Sequence, residues 1–245
     1  MIGVLIFAAF APFALASPPQ SDLAEPSTRI VGGSSTTIYD IPYIVQVNEG
    51  YPMCGGSIIS RHWVVTAGHC LEGSLAERVT IRAGTDQLGT GGVEIQASAL
   101  YTHPKFDLDA VDYDIGLIRL AYPLPFGPTI SAISLAKRKV PVGTAAVVSG
   151  WGFLAGGNNN TNPTQLQTVT IPVVSDNECL DYTKRRICAG YRDGIEAPCV
   201  GDSGGPLAVG NTLIGIVSTG QDCTGISVFS NVAYLHKWVS SVMST

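Results

Sequence analysis

The chain has 245 residues, 45% of them hydrophobic and 13% charged, with 28 glycines, 15 prolines and a formal net charge of −5. That apolar content can bury a sizeable core and excludes a disordered chain, while length alone permits one large β domain or two small ones. A negative charge with no sustained basic block offers nothing to neutralise a phosphate backbone, so nucleic acid is not expected as a partner.

At the N-terminus an apolar run from Ile2 to Phe13 ends in Ala14-Leu15-Ala16, the small-x-small form of a signal-peptidase site before Ser17. Residues 1–16 are therefore expected to be a signal peptide, and the protein to be secreted and extracellular. No Lys or Arg precedes the run, so the amine of the start site must supply the usual positive end. Pro12 breaks the run, which also falls short of the roughly 20 residues needed to span a bilayer. No later segment could span, and no membrane partner is expected. Residues 17–29 are polar and carry Pro18, Pro19 and Pro26, too little apolar surface to fold alone, and read as a removable activation propeptide before a domain at 30–245.

From Ile30 onward, short apolar stretches recur between Gly, Pro and Asn punctuation. They are residues 43–47, 56–59, 63–66, 79–82, 115–120, 145–149, 166–171, 207–209, 213–218 and 228–230. The pattern predicts an all-β fold, either antiparallel barrels or a sandwich. Residues 156–160 read as an exposed loop by their Gly and Asn content, and Asn159-Asn160-Thr161 is an acceptor sequon for N-glycosylation. The C-terminal end alone looks helical: Asn231 can cap a segment that places Val232, Leu235, Val239 and Val242 on one face. The short clusters Lys137-Arg138-Lys139 and Lys184-Arg185-Arg186 are expected to be solvated loop charges.

Three segments can carry chemistry. Gly201-Asp202-Ser203-Gly204-Gly205-Pro206 sets a serine among glycines, which leave its hydroxyl approachable. Thr66-Ala67-Gly68-His69-Cys70 places an imidazole after an apolar strand. Asp112-Tyr113-Asp114-Ile115-Gly116-Leu117 places an acid at the edge of another. A serine in a Gly-rich turn is by itself usually structural, so the weight lies on all three occurring in the order His, Asp, Ser.

Through those motifs, together with Ser149-Gly150-Trp151-Gly152 and Arg29-Ile30-Val31-Gly32-Gly33, the chain from Arg29 to its C-terminal helix resembles the chymotrypsin and trypsin family of serine proteases. The resemblance implies two six-stranded antiparallel β-barrels with the active cleft between them, plus a C-terminal α-helix. It also implies a serine endopeptidase with His69, Asp114 and Ser203 as catalytic triad. Serine is a poor nucleophile until a base removes its proton. His69 would be that base, and Asp114 would fix its tautomer and stabilise its cation, the roles that His and Asp have in the Ser-His-Asp triad of this family. Asp112 is read as a loop carboxylate. The backbone N–H groups of Gly201 and Ser203 would form the oxyanion hole. An ordinary imidazole loses its proton near pH 6.5, so the rate is expected to rise across that range.

The same resemblance implies activation by cleavage after Arg29, whose product amine on Ile30 would fold inward to pair with Asp202. The activator is expected to be a trypsin-like protease. Six cysteines allow fifteen pairings; the resemblance selects Cys54 with Cys70, Cys179 with Cys188 and Cys199 with Cys223. It also places Ala197 at the base of the specificity pocket, with Ser218, Gly220 and Ser227 on its walls. Trypsin-like members carry an aspartate at the base, so cleavage after large apolar residues is expected. Trypsin-like or elastase-like specificity is the alternative, and a one-residue slip would turn Glu196 inward. A non-catalytic homologue that binds or regulates is the competing reading of another class.

No cofactor and no metal are expected. None of the cysteine spacings has the Cys-x-x-Cys form of a zinc site, residues 84–94 are shorter and less acidic than the family's calcium loop, and Asp107, Asp109 and Asp112 lack the Gly and Glu of an EF-hand. His62, His103 and His236 are read as surface or partly packed imidazoles. The expected partners are protein or peptide substrates and proteinaceous inhibitors, with the protein itself a monomer.

Overall fold

The structure, a computed structural model, describes residues 33–50, 52–153, 162–194, 196–219 and 223–245. The expected signal peptide and propeptide, Arg29, Ile30, Asn159 and Gly220 lie outside these residues. The strands of the first half are β1 (Ser34–Ser35), β2 (Ile44–Asn48), β3 (Pro52–Ser60), β4 (Trp63–Thr66), β5 (Thr80–Ala83), β6 (Val93–Thr102) and β7 (Gly116–Leu120). The second half supplies β8 (Ser134–Leu135), β9 (Ala145–Gly150), β10 (Gln167–Pro172), β11 (Arg186–Ala189), β12 (Pro206–Val209), β13 (Thr212–Thr219) and β14 (Ser227–Asn231), then helix α1 (Val232–Met243).

Strands β2, β3, β4, β7, β6 and β5 close into an antiparallel barrel, with β5 returning to β2 through Val45 opposite Ala83. In β5 the buried Ile81 and Ala83 alternate with the half-exposed Thr80 and Arg82, the two-residue period of a strand with one face in a core. β2 is buried along its whole length, and the amide of Gln46 within it is satisfied. Gln46 donates to the Gln87 carbonyl and accepts from Gly89 N–H, both at 2.9 Å.

The second barrel runs β10-β9-β12-β13-β14-β11. Its seam is a bridge between Val173 and Ala189, flanked by Val174 N–H to the Cys188 carbonyl and Gly190 N–H to the Pro172 carbonyl, each 2.9 Å. Two-residue strands extend the sheet: β1 pairs with β10, and β8 runs parallel to β13. The expected two-barrel fold is therefore present, with one continuous apolar core drawing on both halves. The halves also meet through polar contacts, including Leu166 N–H to the Asp86 carbonyl at 2.7 Å and Trp151 Nε1 to the same oxygen at 3.0 Å.

Helix α1 docks Val232, Leu235 and Val239 on β13, β8 and β14. Each buried aliphatic side chain contributes about 1.5–3 kcal/mol. Asn231 does occupy the N-cap position, but its side chain does not cap; its amide donates instead to the Lys184 carbonyl at 3.0 Å. No helix of the described residues is long and apolar enough to cross a membrane. Four strands have no counterpart among the apolar stretches: the two-residue β1 and β8, and the longer β6 and β11. In β6, Glu94, Gln96 and Ser98 interrupt the apolar positions, and the strand is mostly half-exposed. β11 begins inside the basic cluster, with Arg186 as its first residue.

Candidate active site

His69 lies just beyond β4, where the Cys54–Cys70 disulfide fastens the turn to β3. Asp114 immediately precedes Ile115 and β7, the strand paired with β4, so the antiparallel pairing of Thr66 with Gly116 brings acid and imidazole to one end of the first barrel. The His69 ring Nδ1 stands 2.8 Å from Asp114 Oδ2, and the His69 backbone N–H donates to Oδ1 at 2.9 Å. One carboxylate thus fixes both the ring and the backbone of the same residue.

Asp114 is only 1% exposed. Burial pushes its pKa up, yet the His69 ring, the Ser218 hydroxyl and the His69 N–H outweigh it and hold the carboxyl below its ordinary value. The Ser218 hydroxyl donates to Oδ2 at 2.6 Å, and the Ser230 hydroxyl donates to the Asp114 carbonyl. Both serines come from the second barrel, so the acid is gripped from across the interface. Neither contact is signalled in the sequence. Ser218 is expected there on a pocket wall, but its side chain is taken up by Asp114.

Ser203 lies in the loop between Cys199 and β12, which the Cys199–Cys223 disulfide ties to the segment before β14. Its carbonyl accepts from Gly55 N–H at 2.7 Å, which joins the loop to β3. Gly204 makes the close approach feasible. It has φ +79°, and a Cβ there would lie 2.1 Å from Thr66 Oγ1 and 3.0 Å from Ala67 N. The serine loop therefore sits directly on the residues that lead into His69. The Ser203 hydroxyl makes no hydrogen bond to the His69 ring in this structure, and such bonds commonly tighten only once substrate is bound.

The loop backbone turns sharply at Gly201, φ +98°. Among the described residues, neither Gly201 nor Ser203 gives its N–H to a protein acceptor, whereas the Asp202 N–H between them goes to the Cys199 carbonyl at 2.9 Å. The arrangement leaves two amides of one short turn available to a developing negative charge.

Asp202 points the other way, into the protein, and is fully buried. Burial raises its pKa to about 6, partly offset by donations from the N–H groups of Cys199 at 2.9 Å and Gly152 at 2.8 Å. No cationic side chain among the described residues pairs with it.

Of the other residues expected to line the specificity pocket, Ala197 is fully buried, and Ser227 is 1% exposed with its hydroxyl unpartnered. The Glu196 carboxylate lies beside Gly194, 3.3 Å from where that residue's Cβ would be. The third disulfide joins Cys179 and Cys188. Cys54, His69 and Cys70 also cluster closely, but both sulfurs are spent in the disulfide and offer no thiolate to a metal.

Two charge readings need correction. Arg185 is not a solvated loop charge: it forms a two-pronged, partly buried pair with the loop carboxylate Asp112, Nε to Oδ1 at 2.7 Å and Nη2 to Oδ2 at 2.6 Å. Arg186 donates to backbone carbonyls, and Lys139 reaches Asp176. The guanidinium fork finds carboxylate and carbonyl acceptors in the facing loop, which a pattern of like charges in sequence does not reveal. His103 is packed as expected, stacked on Tyr113 with ring centroids 4.6 Å apart.

The sequence profile of the family described as trypsin matches residues 30–239. Trypsin delta of Drosophila erecta is 40% identical over 233 residues, 90% of this chain and 91% of that protein. Trypsin alpha of Drosophila melanogaster is 38% identical over 239 residues, 93% and 92% of the two chains. Trypsin 5G1 of Aedes aegypti is 36% identical over 234 residues, 88% and 85%.

Proposed function

Since the chain belongs to the trypsin family of serine proteases and is a serine endopeptidase acting on protein substrates, we propose that His69, Asp114 and Ser203 are its catalytic triad. The observation that carries this reading is the 2.8 Å contact of His69 Nδ1 with the buried Asp114 carboxylate, beside a serine loop packed on the residues before His69. With Nδ1 engaged, Nε2 is the ring nitrogen left to take the Ser203 proton. The oxygen attacks the scissile carbonyl carbon, and the carbonyl π electrons move to its oxygen. The N–H groups of Gly201 and Ser203 receive that charge, each worth roughly 3 kcal/mol. His69 then returns the proton to the leaving amine, and water repeats the sequence on the acyl-enzyme.

The protein is made as a secreted precursor, with residues 1–16 as signal peptide and 17–29 as propeptide, and a trypsin-like protease cuts after Arg29. The Ile30 amine then pairs with Asp202, a reading supported by a fully buried carboxylate that has no cationic partner among the described residues. Primary specificity is for large apolar residues, because the buried Ala197 at the pocket base carries no charge to compensate Lys or Arg. The relatives are named trypsins, which favours Lys and Arg as the second reading. Proteinaceous inhibitors would enter the same cleft, and Asn159 would carry sugar.

A panel of peptide amides, with fluorophosphonate labelling before and after trimming, tests the proposal. Labelling at Ser203 only after trimming, with fastest turnover at Phe, Tyr, Leu or Met, is the expected result. Labelling at another residue would overturn the triad, and turnover confined to Lys and Arg would overturn the apolar pocket.

A further inference from the structure

The chain reaches Asp114 through a turn that L-residues resist. Val111 and Tyr113 stand at φ 47° and 50°, in the left-handed region, where a β-branched or bulky side chain is strained and persists only if its surroundings over-determine it. Part of the restraint is local: Asp107 and Asp112 exchange backbone hydrogen bonds at 3.0 Å, and Asp112 Oδ1 accepts from Tyr113 N–H at 2.8 Å. The rest comes from the other barrel.

Arg185 holds both oxygens of Asp112, and its guanidinium lies 4.7 Å from the centroid of the Tyr113 ring. Arg186 Nη2 donates to the carbonyls of Ala110 at 2.6 Å and Val111 at 3.2 Å. Both arginines are themselves anchored. Arg186 opens β11 opposite Ser230 of β14, whose hydroxyl is the one that holds the Asp114 carbonyl. The Arg185 carbonyl accepts from Asn231 N–H at 2.7 Å. One edge of the second barrel therefore contacts Ala110 through Asp114 without a break, and the grip ends on the acid that faces His69.

We propose that Arg185 and Arg186 are positioning residues for catalysis: reaching across from the second barrel, they hold the strained turn at Ala110–Tyr113 and so set Asp114 against His69. The proposal rests on the reading of Asp114 as the triad acid. It assigns the work to guanidinium geometry, since a lysine ammonium cannot grip both carboxylate oxygens and lie over the ring at once. Through this latch, docking of the two barrels and the activity of the cleft between them become one property.

The test is steady-state kinetics of the trimmed enzyme on a single apolar peptide amide, with Arg185→Met, Arg185→Lys, Asp112→Asn and the Arg185→Met/Asp112→Asn double variant. Misplacement of a catalytic group by about 1 Å can cost about a hundredfold in rate. We expect Arg185→Met to lower kcat by about tenfold to a hundredfold with KM changed less than about twofold, and Arg185→Lys to restore only a minor part. Asp112→Asn should match Arg185→Met, and the double variant should be little worse than either single, as for members of one network. The downfield Nδ1 proton resonance of His69 should shift or broaden in the same variants. Should Arg185→Met not fold, the near-isosteric Asp112→Asn gives the answer alone. A folded variant that keeps its kcat and its His69 resonance would overturn the positioning role, as would additive losses in the double variant. Full activity of Ser203→Ala, run alongside, would instead remove the triad reading beneath it.

Discussion

The buried carboxylate of Asp202 yields a prediction whose size follows from its surroundings. In the uncut chain residue 30 offers an amide and not an amine, so the inward Asp202 would be charged without compensation. Its pKa rises from 3.8 to about 6, roughly two units, or about 3 kcal/mol at about 1.4 kcal/mol per unit. The sign follows from an acid whose pKa is raised in the folded arrangement. The inward position is fully favoured below about pH 4 and loses support as pH climbs through about 6. Cutting after Arg29 adds the Ile30 amine, and a buried pair of this kind is typically worth about 3–5 kcal/mol against loss of one partner. The assay is amide hydrogen exchange at Gly152 and Cys199, both of which donate to Asp202, in a Ser203→Ala protein before and after trimming. Near pH 4 the two forms should be equally protected. At pH 8 the uncut form should be about a hundredfold less protected, since every 1.4 kcal/mol is a factor of ten. Equal protection at pH 8 would refute the proposed role of the new amine.

Two further substitutions probe the site. Ser218→Ala removes the 2.6 Å hydroxyl bond to Asp114; a hydrogen bond to a charged group is worth about 1.5–3 kcal/mol, so kcat/KM should fall about tenfold to a hundredfold, mostly in kcat. Ala197→Asp puts a carboxylate at the fully buried position proposed as the pocket base, and peptide-amide kinetics should show lost turnover after Phe and Leu with a gain after Arg and Lys. Unchanged preference in a folded Ala197→Asp protein would mean that residue 197 does not line the pocket.

The local motifs were legible because each is a few consecutive residues, and their order His, Asp, Ser and the family resemblance gave them a meaning that none has alone. The strand Trp63–Thr66 has the ends that its apolar run suggests, and His69, Asp114 and the Ser203 loop stand where strand pairing and glycine turns bring them. What escaped the sequence is what depends on distant partners. Ser218 reaches Asp114 over 104 residues and Ser230 over 116, and no local pattern marks one serine among many as a buried donor. Arg185 and Asp112 are 73 residues apart, so a basic triplet reads as solvated until the facing carboxylate is known. The long strand β6 was hidden for another reason: Glu94 bonds outward to Thr80 and Arg82 on β5, so cross-strand polar pairs do there what apolar alternation does elsewhere.

All of these readings converge on a hydroxyl made nucleophilic by its neighbours. The most direct measurement is the single-turnover rate of amide hydrolysis by trimmed Ser203→Ala, compared with the parent under conditions where both are shown to be folded. Removal of the nucleophile should lower the rate by about a millionfold, leaving only what substrate binding and the two amides supply. A rate within tenfold of the parent would contradict the account.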